Sequence, residues 1–303
     1  MSGANGSAAA VSRVGVVGGG IMGTGIAEVC ARAGLDVTIV ESTPATAELA
    51  LTRVHGSLEK AVERGKLEPE AAERASALVR TTADIAEIAD RQLVVEAVVE
   101  QKQAKLDVFR RLSEVVEAED AILASNTSSI PIVELAVSTG DRADHVLGLH
   151  FFNPVPVLSL VEVIPSLLTS DAVAERAHAF AAGQLGKDPI VAPDRAGFTV
   201  NALLIPYLLA AIRMFEQGLA SAEDIDRGMV KGCAHPMGPL ALSDLIGLDT
   251  VLGVAETLYT EHREPLYAPP PLLQRLVAAG LMGRKSGRGL YSYPAQTQLA
   301  RSA

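Results

Sequence analysis

The 303-residue chain predicts an α/β domain followed by an all-helical C-terminal domain, and three observations carry that expectation. Short apolar, β-branched runs alternate with amphipathic stretches over the first two thirds of the chain, as βαβ units on a parallel sheet do. The first of these runs opens directly onto Gly18-Gly19-Gly20-Ile21-Met22-Gly23. Beyond residues 193–197 the strand-like runs stop and only helical patterning remains. The expected domains are therefore 12–193 and 194–303.

In chain order, a strand at 13–17 runs into the glycines and an alanine-rich helix follows to about Ala33, where Gly34 stops it. A second strand at 36–40 ends at Glu41. Strand, G-x-G-x-x-G, helix, strand and acidic residue together make the dinucleotide-binding fingerprint of a Rossmann-type domain. Gly18 permits the tight turn, Gly20 lets a pyrophosphate approach the backbone, and Gly23 lets helix and strand pack closely. Ile21 and Met22 lie in the helix's first turn, whose N–H groups are available to the phosphates. Glu41 stands where a carboxylate accepts hydrogen bonds from the adenosine ribose, and a 2′-phosphate there would meet like charge. NAD rather than NADP is the expected cofactor, although Ser42 and Thr43 leave a phosphate site open.

Residues 45–78 read as helical and charged. Lys60 and Arg64, four apart, share a helix face, and a solvated face is the plainer account of them. A strand at 92–95 leads into Glu96-Ala97-Val98-Val99-Glu100, a charged helix covers 102–117, and a strand at 121–124 opens onto Ser125-Asn126-Thr127-Ser128-Ser129-Ile130-Pro131. That polar segment lies at a strand's carboxyl end, where open parallel sheets bind ligands. It also suits a helix N-cap, with Ser128 or Ser129 as the capping residue.

Runs 146–152 and 157–164 read as two short strands around Asn153, Pro154 and Pro156. Each carries one ionisable residue, His150 in the first and Glu162 in the second. If the chain reverses at the prolines, the two side chains face each other. A buried carboxylate fixes the tautomer of a neighbouring imidazole and stabilises its imidazolium, which makes the histidine a competent proton acceptor. On these residues alone, a satisfied core histidine beside a strand glutamate is the simpler account. Downstream, 198–217, 221–231, 239–256 and 271–279 read as helices, with Ser221, Glu223 and Asp224 starting the second. Gly283-Arg284-Lys285-Ser286-Gly287 forms a basic glycine-rich turn.

Composition narrows the partners. A net charge of -10, no tryptophan and only 4% aromatic residues argue against nucleic acid, and the charge argues against an anionic membrane surface. No apolar run approaches the ~20 residues of a membrane span. Cys30 and Cys233 have no metal-ligand spacing and are too few for a disulfide framework, so no metal is expected. Cys30, on an apparent helix face, reads as a small buried hydrophobe. The start of the chain lacks the charged and apolar regions of a signal peptide, and a cytoplasmic location is expected.

With these residues in hand, the sequence resembles the short-chain L-3-hydroxyacyl-CoA dehydrogenases, in particular the 3-hydroxybutyryl-CoA dehydrogenases. The resemblance rests on Gly-Gly-Gly-Ile-Met-Gly-Thr-Gly-Ile-Ala at 18–27, Ala-Ser-Asn-Thr-Ser-Ser at 124–129 and Gly-Leu-His-Phe-Phe-Asn-Pro at 148–154. Gly-Phe-Thr-Val-Asn at 197–201, His-Pro-Met-Gly-Pro at 235–239 and Gly-Arg-Lys-Ser-Gly at 283–287 extend it to the C-terminal part. It implies His150 as general base, Glu162 as its orienting partner, and Ser128 and Asn201 as hydrogen-bonding residues around the substrate. It also implies NAD contacts from Glu100, Lys105, Ser128, Asn153 and Lys285, in addition to the glycines and Glu41. Ser57, Lys60 and Arg64 would meet the CoA portion, which reverses the solvated-face reading.

The implied reaction is reversible oxidation of a (3S)-3-hydroxyacyl-CoA to its 3-ketoacyl-CoA in fatty-acid metabolism. The resemblance places the site in a cleft between the domains and implies a homodimer formed through the helical ones. Three departures stand out: Glu41 replaces the usual aspartate, Ala202 replaces the usual arginine after Asn201, and the segment between Ser128 and His150 is one residue longer, a difference assigned to the turn around Gly140. The alternatives are a dehydrogenase of free 3-hydroxy acids or sugar acids, and a catalytically silent NAD-binding relative. Intact His150 and Glu162 speak against silence.

Overall fold

The computed structural model describes residues 10–293, which form two compact units divided between Arg195 and Ala196. The first unit is built on one eight-stranded sheet. Its strands are β1 (Arg13–Val17), β2 (Asp36–Val40), β3 (Val79–Thr82), β4 (Leu93–Glu96), β5 (Ile122–Ser125), β6 (Val146–Phe151), β7 (Leu160–Pro165) and β8 (Asp188–Val191). They lie in the order β3-β2-β1-β4-β5-β6-β7-β8. The first six run parallel, β7 pairs antiparallel with β6, and β8 runs parallel to β7. Helices α1 (Ile21–Arg32), α2 (Pro44–Glu63), α3 (Pro69–Ala77), α4 (Lys102–Val115), α5 (Ile132–Val137) and α6 (Asp171–Ala179) connect or flank them.

The central strands are continuous apolar runs because they are covered on both faces. Val14, Val16, Ile39, Val95, Ile122 and Leu147 are fully buried or nearly so, and Ile26, Ala27 and Cys30 of α1 pack with them. Burial pushes the Cys30 thiol up to about 12, against a smaller opposing pull from Lys187. Such a thiol is a packing group, as its helix position anticipated. The chain order reverses between β1 and β4, where Val17 pairs with Glu96 and Glu96 with Ser125. Ser125 pairs in turn with Gly148. The carboxyl ends of four neighbouring strands therefore line one edge of the sheet, with His150 two residues beyond Gly148.

The structure differs from expectation at several points. Residues 45–78 form two helices, parted where Gly65 adopts a φ of +62°, and they stop one residue short of strand β3. Neither Ser128 nor Ser129 caps α5. Its first N–H groups, at Ile132 and Val133, donate to the carboxylate of Asp194 at 2.6 and 2.8 Å, from roughly sixty residues downstream. Strand β8 and helix α6 carry no expectation from the sequence.

The second unit comprises α7 (Val200–Glu216), α8 (Ala222–Gly232), α9 (Pro239–Ile246), α10 (Leu248–His262) and α11 (Pro271–Ala278). Leu208, Ile212, Leu240, Leu248, Val251, Ala255, Leu258 and Leu273 form its core. Ser221 caps α8 as expected, accepting from the Asp224 N–H. The stretch 239–256 is two helices, broken at Gly247 with φ +103°. Asp226 takes the N–H groups of Leu240 and Ala241 at the start of α9. Among the described residues no helix is long and apolar enough to cross a membrane.

Candidate active site

The glycine loop is closed on one side and open on the other. Gly18 adopts φ +101°, and a Cβ there would lie 2.7 Å from the Ala97 carbonyl oxygen. A Cβ on Gly23 would collide with the Gly18 carbonyl. At Gly20, apart from its own chain neighbours, no heavy atom lies within 4 Å of where a Cβ would stand, so the loop's outer side has room for a ligand. No side chain among the described residues caps α1, and its hydrogen bonding begins with the Thr24 N–H returning to Gly20 O at 3.0 Å. The preceding N–H groups of Ile21, Met22 and Gly23 belong to the unsatisfied first turn that anions favour. Glu41 lies beside them, accepting from Gly19 N at 2.5 Å and Ser42 N at 3.2 Å. An open face of N–H donors next to a carboxylate at the end of β2 fits a dinucleotide.

A polar cluster fills the ends of β4 and β5. Glu96 is fully buried; its Oε1 receives Lys105 Nζ and Val98 N, both at 2.7 Å, and its Oε2 receives the Ser125 hydroxyl at 2.6 Å. Lys105 is 1% exposed and also lies 3.2 Å from Glu100. Glu100 gathers the Thr127 and Ser129 hydroxyls and the Ser128 N–H, the last at 2.9 Å. Burial alone would raise the Glu100 carboxyl. Lys105 and the donors from Thr127 and Ser128 outweigh it and hold the group below the usual carboxylate range. This web fixes the loop that carries Ser128.

His150 and Glu162 stand directly opposite each other in the β6–β7 ladder, where cross-strand side chains share a face. His150 Nδ1 and Glu162 Oε2 are 2.7 Å apart, with His150 6% exposed and Glu162 fully buried. The Phe152 ring packs edge-on to the imidazole at 4.6 Å between centroids. The neighbouring Phe151 N–H donates to the Asn126 side chain at 2.9 Å, tying β6 to the loop after β5. Asn153 is exposed in the turn that follows. Lys187 holds that turn by donating to Val155 O at 2.6 Å and Leu158 O at 2.7 Å. Among the described residues no cluster of three or more His, Cys, Asp or Glu side chains is arranged to hold a metal ion.

Ser57, Lys60 and Arg64 follow one another along α2 and its C-cap at intervals of three and four, on one helix face. Lys60 and Arg64 are exposed and Ser57 is half-buried. In the second unit, Asn201 is half-buried in the first turn of α7, and Lys285 pairs with Asp249 at 2.5 Å.

Family models match both units of the chain. Residues 13–195 match the 3-hydroxyacyl-CoA dehydrogenase NAD-binding domain, and residues 197–293 match the 3-hydroxyacyl-CoA dehydrogenase C-terminal domain. The chain belongs to the 3-hydroxyacyl-CoA dehydrogenase family. It is 54% identical to a 3-hydroxybutyryl-CoA dehydrogenase of Mycobacterium tuberculosis, over 94% of this chain and 99% of the relative. It is 42% identical to the human mitochondrial hydroxyacyl-coenzyme A dehydrogenase, over 93% of this chain and 91% of that one. The crystal structure of an (S)-3-hydroxybutyryl-CoA dehydrogenase from Ralstonia eutropha superposes with a TM-score of 0.89, at 44% identity over 94% of this chain and all of the other.

Within this 3-hydroxyacyl-CoA dehydrogenase the departures from the family pattern acquire a physical setting. The longer side chain of Glu41 folds back onto the Gly19 N–H. Ala202, in place of arginine, sits in the turn where its own N–H returns to Gly197 O at 3.0 Å. The segment around Gly140 is a 3-10 turn over Gly140–His145. Four residues of these networks escaped the sequence reading as contributors: Glu96, Asp194, Asp249 and Arg53, whose guanidinium reaches the glycine loop. Helical spacing from Lys60 and Arg64 was the one available signal for Arg53.

Proposed function

We propose that the chain catalyses the reversible NAD-dependent oxidation of (3S)-3-hydroxyacyl-CoA to 3-ketoacyl-CoA, with 3-hydroxybutyryl-CoA and acetoacetyl-CoA as its preferred pair. The observation that carries this reading is the enclosed His150–Glu162 pair on the sheet that also carries the dinucleotide loop. The names of the relatives support the four-carbon acyl chain. In oxidation, His150 accepts the substrate hydroxyl proton through Nε2, the ring nitrogen opposite its bond to Glu162. Glu162 holds the Nδ1–H, fixes the tautomer and stabilises the imidazolium that forms. NAD, when bound, supplies the nicotinamide carbon that exchanges hydride with C3.

Ser128 and Asn201 are assigned to the substrate oxygens, orienting C3 for transfer at close range. Glu100, Lys105, Ser128, Asn153 and Lys285 support the cofactor with Gly18, Gly20, Ile21, Met22, Gly23 and Glu41. Glu41 disfavours NADP because a 2′-phosphate would meet its carboxylate. Ser57, Lys60 and Arg64 take the nucleotide end of CoA. A chain of net charge -10 needs such local cations to hold a polyanionic substrate.

The test compares acetoacetyl-CoA with free acetoacetate, NADH being the reductant. The ester should turn over far better, and Lys60→Ala/Arg64→Ala should raise its KM about tenfold with kcat much less changed. Equal turnover of the free acid, or a double variant with wild-type KM, would transfer the assignment to a free-acid dehydrogenase.

The same reading includes a homodimer through the helical unit. Leu203, Ala210 and Met214 lie seven and four apart on α7 and are exposed, Leu203 by 73%. An apolar stripe at that spacing suits helix-on-helix association. Sedimentation should give a dimer, and Leu203→Glu should shift it toward monomer; a wild-type monomer refutes this part.

A further inference from the structure

The glycine loop is gripped by a side chain outside both the fingerprint and the residues assigned above. Arg53, in the third turn of α2, donates from Nη1 to the Gly19 carbonyl oxygen at 2.8 Å. The Gly19 N–H donates to Glu41 Oε1 at 2.5 Å. Both peptide groups of Gly19 are therefore held, one by a carboxylate at the end of β2 and one by a guanidinium from α2. The helix is close enough that a Cβ on Gly19 would collide with Ala50, three residues before Arg53.

The consequence falls on the next residue. A peptide unit is planar and trans, so the carbonyl of Gly19 and the N–H of Gly20 point in opposite directions across one rigid plane. Holding the Gly19 oxygen toward Arg53 directs the Gly20 N–H away from it. The following peptide is set independently, because Gly20 O accepts from both Thr24 N at 3.0 Å and Thr24 Oγ1 at 2.8 Å. Gly20 is also the loop residue with open space on its outer face. Three consecutive glycines without such restraints would sample many backbone states, and the ligand would have to order them.

We propose that Arg53 is a positioning residue for the dinucleotide: it sets the Gly19–Gly20 peptide in advance, so that the loop's N–H groups meet the pyrophosphate already aligned. The proposal rests on the dinucleotide-binding reading of the loop but not on the CoA assignment. Arg53 also heads the α2 stripe, with Ser57, Lys60 and Arg64 following at intervals of four, three and four. A simple charge effect on the phosphates is therefore the competing account.

Titration of NADH fluorescence without any CoA ester separates the two accounts, using Arg53→Met, which keeps the length but has no donor, and Arg53→Lys, which keeps a donor of similar reach. The methionine variant should raise the Kd for NADH about fivefold to tenfold, the worth of one pre-formed hydrogen bond. The loss should persist in about 0.5 M salt, where a point-charge attraction is screened. The lysine variant should recover most of the affinity, and in turnover the methionine variant should lose much more in KM for NADH than in kcat. A methionine variant that binds NADH within about twofold of wild type overturns the proposal, as does a loss that vanishes in salt or a lysine variant no better than methionine. Failure of the wild-type chain to bind NADH would instead remove the dinucleotide reading itself.

Discussion

Glu96 and Glu162 are both fully buried on the same sheet, and each faces a nitrogen base at 2.7 Å, Lys105 in one case and His150 in the other. The surroundings of the two bases differ. The Lys105 ammonium, with three protons, meets Glu96, Glu100 and the Val98 carbonyl. Ser125 and Val98 N complete the coordination of Glu96. That pair joins the loop after β4 to the start of α4 and to the end of β5. His150 spends one ring nitrogen on Glu162, and imidazole is the side chain that exchanges a proton near neutral pH. Burial and pairing are shared by both sites. The chemical identity of the base separates a fixed structural charge from a proton carrier.

Breaking each pair should therefore give opposite signatures, and the larger effect belongs to the histidine. For His150→Gln we expect kcat to fall about 10²–10⁴-fold with little change in NADH affinity, since a positioned base is worth that much. Glu162→Gln should also be severe, because the imidazolium loses its compensating charge. If either variant keeps more than about half of the wild-type kcat, the base or its partner is misassigned.

At the lysine the loss should be of stability. Lys105→Met leaves the buried Glu96 carboxylate uncompensated, which costs about 3–5 kcal/mol and should be visible in the denaturant midpoint. Glu96→Gln/Lys105→Met should recover a large part of that loss because no unpaired charge remains. A single variant as stable as wild type would show that the lysine is dispensable to the fold, and the contrast between the two pairs would collapse.

What the sequence makes legible is local. The glycine loop, Glu41, and the strands bearing His150 and Glu162 are each set by residues within a few positions of one another, and the structure has them within about one residue of the expected bounds except at the start of the Glu162 strand, which begins at Leu160, three residues later than expected. β3 is hidden because Val-Arg-Thr-Thr is short, polar and at the sheet edge, where one-sided burial leaves little hydrophobic pattern. The break at Gly247 is hidden because α9 and α10 continue the same apolar character on either side of one left-handed glycine. The Asp194 cap and the Arg53 clamp escape for another reason: each joins residues tens of positions apart, and no period in the chain records such a pairing. The Glu96–Lys105 pair spans only nine residues, but it bridges a strand end and a helix, a relation that neither periodicity describes.

The smallest expected effect lies where the lysine's web meets the solvent. Glu100 shares Lys105 with Glu96, yet its own side chain is 39% exposed, so its contribution is screened to roughly 1 kcal/mol or less. Its carboxyl is held below the ordinary value of 4.5, which gives the sign of the pH dependence. A group with a depressed folded pKa contributes its full stabilisation above the unfolded value and loses it as pH falls through the folded one. The stability gap between wild type and Glu100→Gln should therefore be largest at neutral pH, begin to close just below about 4.5, and vanish at more acid values. The glutamine still offers an amide oxygen to the Ser128 N–H and the Thr127 hydroxyl, so what closes is the part due to charge, chiefly the attraction to Lys105. Denaturant titrations of both proteins between pH 7 and pH 3 read the gap directly. A gap that stays constant over that range would mean that Glu100 acts only as a neutral acceptor, and a gap that widens toward acid would mean that burial, not Lys105, dominates its carboxyl.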